Sequence, residues 1–354
     1  MKTLRVELGE RSYDIYVGHD IVGGSAGLIP WIEEAERIAI IEDPASFLAG
    51  LYGLVEEIGR DRVAWAEVHG EADKTAAAAE RLWRWLAREG FHRGDLVLAH
   101  GGGATTDLAG YVAATFNRGL GWVAMPTTLL AMVDAAIGGK TAIDLPEGKN
   151  LVGSFHQPRA VIADVSQLRD LPAEHLCTGM AEVIKHGLIA DADLLSFVER
   201  AQPDIDARDV DTLEQLVADA AAIKVNIVSQ DETEQGARAH LNYGHTLGHA
   251  IEALDNYTGR THGQAIGIGM MFAAHLAVAL GMKDRVSEHK ALFELFGLPT
   301  KGAAHEYEAI AEVWQRDKKY DKGVRFVLLE DLGKPVVTRD IPEDALRAAY
   351  EAVR

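Results

Sequence analysis

Apolar and polar residues alternate over residues 1–17 as they do along a strand, and the chain then shifts to short apolar runs separated by helical stretches. Residues 37–41 read as a short buried strand closed by Asp43 and Pro44. Residues 76–90 have helical periodicity, with Leu82, Trp83, Trp85 and Leu86 as the apolar stripe. Both tryptophans read as core rather than as a platform for an aromatic ligand. Residues 95–99 form a second apolar strand that runs into Gly101, Gly102 and Gly103, and residues 122–124 a third that runs into Pro126. This alternation predicts a parallel sheet covered by helices. Beyond about Asp164 helical patterns dominate, over residues 179–189, 210–228, 243–254, 263–280 and 287–296, with a returning strand at 325–329. The change of texture puts a domain boundary between Asp164 and Pro172. The expected architecture is an α/β nucleotide-binding domain with a parallel-type sheet over 1–168 and a mostly α-helical domain over 169–354. The site is expected in the cleft between them.

Composition narrows the function classes. A chain of 354 residues with 48% hydrophobic and 25% charged residues is an ordinary globular protein of two domains. A net charge of -19 argues against nucleic acid or an anionic membrane as the main partner, because phosphate backbones demand a basic footprint. It leaves room for a small phosphorylated substrate held by a local basic cluster. Cys177 is the single cysteine, so no intrachain disulfide forms, which fits a reducing, cytoplasmic setting. It reads as a small core filler. The most apolar run, 265–282, is rich in Gly and Ala and carries His275, so it reads as a buried helix and not a membrane span. Residues 1–17 contain no signal-peptide apolar region.

Four constellations could carry chemistry. Gly101-Gly102-Gly103-Ala104-Thr105-Thr106-Asp107 follows a strand and precedes a helix over 108–116. It reads either as a tight turn capped by Asp107 or as a pyrophosphate site at a helix N-terminus. It matches neither of the common nucleotide fingerprints. Lys140 and Lys149 follow glycines in what reads as a loop, with Asp134 and Arg118 nearby. Their small and apolar neighbours favour a phosphate-holding role over solvated surface lysines. Glu182 and Lys185 share a helix face, which alone reads as a surface ion pair. His245 and His249, spaced i,i+4, share a helix face and could bind one metal ion. No glutamate follows His245, so this is not a metalloprotease motif. Asn242, Glu252 and His262 extend the polar cluster among apolar residues, and buried polar groups need partners.

In this order the segments GGGATTDLAGYVAATFNRG, PTTLLAMVDAAIGGKTAIDLPEGKNLVGSFHQPRAVIAD, GMAEVIKHGLI, LNYGHTLGHAIE, HGQAIGIGM and RDKK resemble the 3-dehydroquinate synthase family of sugar-phosphate cyclases. The resemblance runs from about Asp95 to Lys319, and more loosely over the whole chain. It implies a dehydroquinate synthase-like fold and an NAD-dependent lyase. The implied reaction converts 3-deoxy-D-arabino-heptulosonate 7-phosphate to 3-dehydroquinate and phosphate, a step of the shikimate pathway toward aromatic amino acids. The steps are transient oxidation, phosphate elimination, re-reduction and an internal aldol closure.

The resemblance also implies one divalent metal, Zn2+ or Co2+, on Glu182, His245 and His262. This keeps His245 of the pair that spacing selects and replaces His249 with His262. It places the cofactor on His69, Gly70, Glu71, Ala72, Asp73 and Lys74, on Gly103, Ala104, Thr105, Thr106 and Asp107, and on Thr127 and Thr128, with Asp43 toward the adenosine ribose. It places substrate contacts on Arg118, Asp134, Lys140, Lys149, Asn150, Lys185, Lys224, Arg238, Asn242 and His249, and on Lys318 or Lys319; Lys140 and Lys149 count toward the cofactor as well. A homodimer is implied. The chain departs from the family pattern at Ala104-Thr105-Thr106, Ala142, Asp144 and Gln264, each keeping small or polar character. The alternatives are a cyclase forming a valiolone or a deoxy-inosose, a metal-dependent polyol dehydrogenase, and a catalytically dead binding protein. The complete Glu182, His245 and His262 set argues against the last.

Overall fold

A computed structural model of the chain describes residues 1–46, 49–317 and 324–354. The chain forms two compact units. One comprises Met1–Pro172 with Arg208–Glu232, the other Ala173–Ala207 with Thr233–Arg354.

The first unit is built on a seven-stranded sheet. Its strands are β1 (Lys2–Val6), β2 (Tyr13–Gly18), β3 (Ile38–Glu42), β4 (Val63–Glu67), β5 (Leu96–Gly101) and β6 (Gly121–Pro126), then, after a separate hairpin of β7 (Lys140–Leu145) and β8 (Gly148–Phe155), β9 (Ala160–Asp164). The spatial order is β1-β2-β9-β6-β5-β3-β4, parallel except where β1 meets β2. Helices α1 (Pro30–Glu34), α2 (Ala49–Ile58), α3 (Ala76–Arg88) and α4 (Gly103–Thr115) accompany it. On one face Ile38, Ile40, Leu96, Leu98, Val123 and Ile162 form a core with Ile32 of α1 and Leu51, Leu54 and Val55 of α2. On the other face α4 packs on β5 and β6. Sheets covered on both sides read as unbroken apolar runs. That is why β3 and β9 are buried along their whole length.

Two details differ from expectation. The buried stripe of α3 is Ala78, Ala79, Leu82 and Leu86; Trp83 and Trp85 are half-buried on its flanks, against Tyr111 and Phe91. Wide indole rings can cover a helix edge without entering the core. Lys140, Lys149 and Asn150 do not sit in a loop but on the antiparallel β7–β8 hairpin. The small residues around them hid the strand alternation.

Three helices follow, α5 (Ala173–Ala190), α6 (Ala192–Asp206) and α7 (Val210–Gln230). α7 belongs to the first unit. It packs on β1, where the Glu7 amide donates to Ser229 Oγ at 3.0 Å and the Met1 amine meets Glu214 at 3.0 Å.

The second unit is mostly helical. To α5 and α6 it adds α8 (His245–Leu254), α9 (His262–Ala279), α10 (Val286–Leu295), α11 (Tyr307–Asp317), a hairpin of β10 (Phe326–Asp331) and β11 (Lys334–Thr338), and α12 (Glu343–Val353). α9 contacts α5, α8, α10, α12 and β10, so it is apolar all round. No described helix is long and apolar enough to cross a membrane. α9 crosses α8 at backbone distance. A Cβ on Gly269 would lie 1.9 Å from the Gly244 carbonyl oxygen, and one on Gly263 would lie 2.5 Å from Thr178 Cα of α5.

Two buried histidines make the fold acid-sensitive. Burial pushes His100 at the end of β5 down to about 4. It does the same to His289, although that ring's Nδ1 bonds the Arg285 carbonyl and its Nε2 the Tyr243 hydroxyl. An unfolded histidine takes up a proton near pH 6.5. The stability these neutral rings allow is therefore complete above pH 6.5 and declines as the pH falls toward 4, by about 3 kcal/mol for each ring. Urea midpoints measured from pH 7 to pH 4 are expected to fall less steeply for His100→Leu than for the parent. Parallel slopes would contradict this.

Candidate metal centre and glycine-rich loop

In the second unit, Glu182 sits mid-way along α5 with its side chain fully buried. His245 opens α8 and His262 opens α9. The Nε2 atoms of both rings lie 3.6 Å from Glu182 Oε1. One donor atom from each of the three residues falls within 4.8 Å of the others. That is the spread of a single cation's ligand shell, and one carboxylate with two imidazoles is a zinc-type donor set.

The surroundings prepare the donors. His245 Nδ1 bonds the Tyr243 carbonyl at 3.1 Å, and His262 Nδ1 lies 3.2 Å from Glu252 Oε1. Both rings thus direct Nε2 inward. Burial and the nearby Lys185 ammonium hold His245 well below the usual imidazole range, so its lone pair is available. At His262 burial acts downward too, but the Glu182 and Glu252 carboxylates outweigh it and raise the ring to about 10. A cation entering here displaces that proton, so metal uptake is expected to release protons and to strengthen from pH 6 to pH 9. Calorimetry in two buffers of different ionisation enthalpy checks this. A buffer-independent heat would contradict it.

Other expected residues belong to the same unit. Lys185, buried one helical turn along α5, meets Glu182 Oε2. His249 is exposed one turn along α8, its ring centre 5.1 Å from that of His245 and 6.1 Å from that of His262. Asn242 Nδ2 donates to Glu234 Oε1 at 2.6 Å, and Arg238 is buried on the same short turn. Glu252 stood in the sequence only as part of a polar cluster. Its place seven residues after His245, on the stripe of α8 that carries His249, was the available signal. Lys318 and Lys319 lie outside the described residues.

In the first unit, a second group forms at the carboxyl edge of the sheet. α4 begins at Gly103 with Gly102 as its cap, so Asp107 lies inside the helix and is not the cap. Asp107 receives the buried Lys74 ammonium at 2.6 Å, and Asn150 Oδ1 accepts from the same lysine. Burial disfavours the Lys74 charge, but Asp107 more than compensates and raises it above the ordinary lysine value. Glu71 meets Lys149 at 2.6 Å, which keeps the carboxylate below its usual range despite burial. These contacts tie the turn Gly70–Asp73 to the β7–β8 hairpin and α4.

Thr127 and Thr128 follow β6 beside the loop. The Thr127 amide donates to the Gly101 carbonyl, and a Cβ on Gly102 would stand 3.3 Å from Thr128 Cγ2. Asp43 ends β3 close to Gly70, where a Cβ would stand 3.4 Å from its Oδ2. His69 is exposed, its amide bonded to Asp73. Ala72 lies within the Gly70–Asp73 turn, while Ala104, Thr105 and Thr106 form the first turn of α4. A glycine-rich turn at a strand's carboxyl end, feeding a helix N-terminus, fits a dinucleotide pyrophosphate. Lys224 of α7 meets Asp134 Oδ1 at 2.7 Å, and Lys140 is exposed at the start of β7. Arg118 is not brought to this group. It is exposed beyond the far end of α4, whose thirteen residues put roughly 20 Å between it and Gly103.

Residues 65–178 match the family model described as 3-dehydroquinate synthase N-terminal, and residues 179–320 the one described as 3-dehydroquinate synthase C-terminal. A 3-dehydroquinate synthase of Thermobifida fusca is 44% identical, covering 100% of this chain and 97% of its own. The chain belongs to the 3-dehydroquinate synthase family. A family member from Pelotomaculum thermopropionicum is 42% identical over 98% of this chain and 95% of its own. Among solved structures, a 2-deoxy-scyllo-inosose synthase complexed with carbaglucose-6-phosphate, NAD+ and Co2+ superposes with a TM-score of 0.87, at 28% identity and with 99% of each chain covered. The dehydroquinate synthase-like fold is thus shared, down to an α/β unit and a helical unit.

Proposed function

We propose that the chain converts 3-deoxy-D-arabino-heptulosonate 7-phosphate to 3-dehydroquinate and phosphate. The observation that carries this reading is the convergence of Glu182, His245 and His262 in a chain with whole-length relatives of that activity. The three residues would hold Zn2+ or Co2+, and the Gly103 loop with Lys74, Asp107, Thr127 and Thr128 would hold NAD. When bound, the ion supplies Lewis acidity at a substrate hydroxyl and NAD a hydride acceptor that returns what it takes.

The chain's own groups do the rest. The ammonium groups of Lys140, Lys149, Lys185 and Lys224 and the Arg238 guanidinium donate charge-assisted hydrogen bonds to phosphate and carboxylate oxygens. Glu182 and Asp134 hold Lys185 and Lys224 in fixed directions before substrate arrives. Asn242, oriented by Glu234, and Asn150 offer neutral donors to hydroxyls. His249, exposed beside His245, exchanges protons through its ring nitrogens. One of Lys318 and Lys319 would complete the set; Arg118, beyond the far end of α4, stands outside it. Fixing every end of the substrate lets oxidation, elimination and ring closure proceed without release.

The full chain, supplied with NAD, Zn2+ and the heptulosonate phosphate, is expected to release phosphate with no net NADH. Net NADH, or turnover of glucose 6-phosphate in its place, would overturn the proposal and favour a dehydrogenase or a deoxy-inosose-forming cyclase.

A further inference from the structure

We infer that Glu252 is a positioning residue that selects which nitrogen of His262 faces the metal. The inference rests on the reading of Glu182, His245 and His262 as the ligand set. Glu252 is buried on α8, and its carboxylate lies 3.2 Å from His262 Nδ1, the ring atom turned away from Glu182. A carboxylate can only accept there, so Nδ1 keeps its hydrogen and Nε2 is the nitrogen whose lone pair is freed for an entering cation. Nε2 is the atom 3.6 Å from Glu182 Oε1.

His262 needs this more than its partner does. The His245 ring is fixed by a backbone carbonyl of its own short segment, at Tyr243. His262 is the first residue of α9, held from its backbone side by the Thr261–Gln264 capping box, which leaves the ring orientation to other groups. A choice also exists to be made. His249, Glu252 and His262 bring donor atoms within 4.8 Å of one another as well, so a ring turned toward α8 would join a rival group. Holding Nδ1 as a donor to Glu252 takes that nitrogen out of contention as a ligand. The negative charge also makes the imidazole a stronger donor at Nε2.

The test compares Glu252→Ala and Glu252→Gln in the full chain by zinc affinity, measured by chelator competition, and by the visible absorption of the Co2+-loaded protein. Glu252→Ala is expected to bind zinc 10–100-fold more weakly, with a changed Co2+ spectrum. Glutamine, whose amide oxygen can still accept from Nδ1 but carries no charge, is expected to restore most of the spectrum and to leave a loss of about tenfold or less. Should the alanine variant not fold, Glu252→Leu, which fills the space and offers Nδ1 no acceptor, decides by the same measurement. Parental zinc affinity together with an unchanged Co2+ spectrum in whichever of these acceptor-lacking variants folds would overturn the inference. The underlying ligand reading fails differently: the parent protein itself would bind no stoichiometric zinc, or His262→Ala would keep it.

Discussion

Glu182→Gln is expected to yield a folded protein that has lost stoichiometric metal and at least about 10³-fold in kcat/KM, or about 4 kcal/mol of transition-state stabilisation. The substitution keeps the volume of a fully buried side chain, so packing along α5 survives. Its chemistry changes in two places at once. The two Nε2 atoms lose the anionic oxygen 3.6 Å away, leaving two neutral donors for a dication. Lys185 also loses the carboxylate that balances its buried ammonium. An ion left unpaired inside a protein sheds its charge, so a lysine proposed to hold substrate phosphate would lose the charge it needs. Elemental analysis of the purified variant beside a phosphate-release assay checks both parts. Full metal occupancy with parental turnover would contradict the assignment. His262→Ala is expected to lose metal likewise while leaving the Lys185 contact in place.

Gly269→Ala is expected to cost about 4 kcal/mol or more, at the upper end for single substitutions. The added methyl would stand 1.9 Å from a backbone oxygen, Gly244 O, and no rotamer change relieves a clash with main chain. The helices would have to separate. Because His245 and His262 are the first residues of α8 and α9, their separation would also widen the metal site. A fall in the urea midpoint accompanied by weakened zinc binding is the expected result. Parental values for both would show that the crossing tolerates a side chain. Gly248→Ala is expected to be milder, because its nearest contact is the flexible Ile266 side chain.

Much of the fold was legible because buried parallel strands and long apolar helices leave strong local patterns. Ile38–Glu42, Leu96–Gly101 and the long apolar run within α9 each stand out on their own. The β7–β8 hairpin did not, since Gly138, Gly139 and Gly148 around its lysines suggested a loop. Spacing selected His245 and His249 because they share one face of α8. It could not see Glu182, which reaches the same point from a helix more than sixty residues earlier. The resemblance to a family supplied that residue, and geometry then supplied the 3.6 Å separations. Asp107 read as a cap because it closes the motif, yet the helix starts four residues sooner and the side chain turns to Lys74. The place of α7 was equally hidden, since its amphipathic pattern does not say which sheet it covers.

That helix bears on how the polypeptide matures as it leaves the ribosome. When Pro172 emerges, all seven strands of the sheet have been synthesised, but the segment that covers β1 is still some forty residues away. Until Val210–Gln230 appears, the β1 side of the sheet stays uncovered, and Asp134 lacks the Lys224 ammonium that balances it. Truncation at Pro172 would therefore leave β1 without the helix that packs on it.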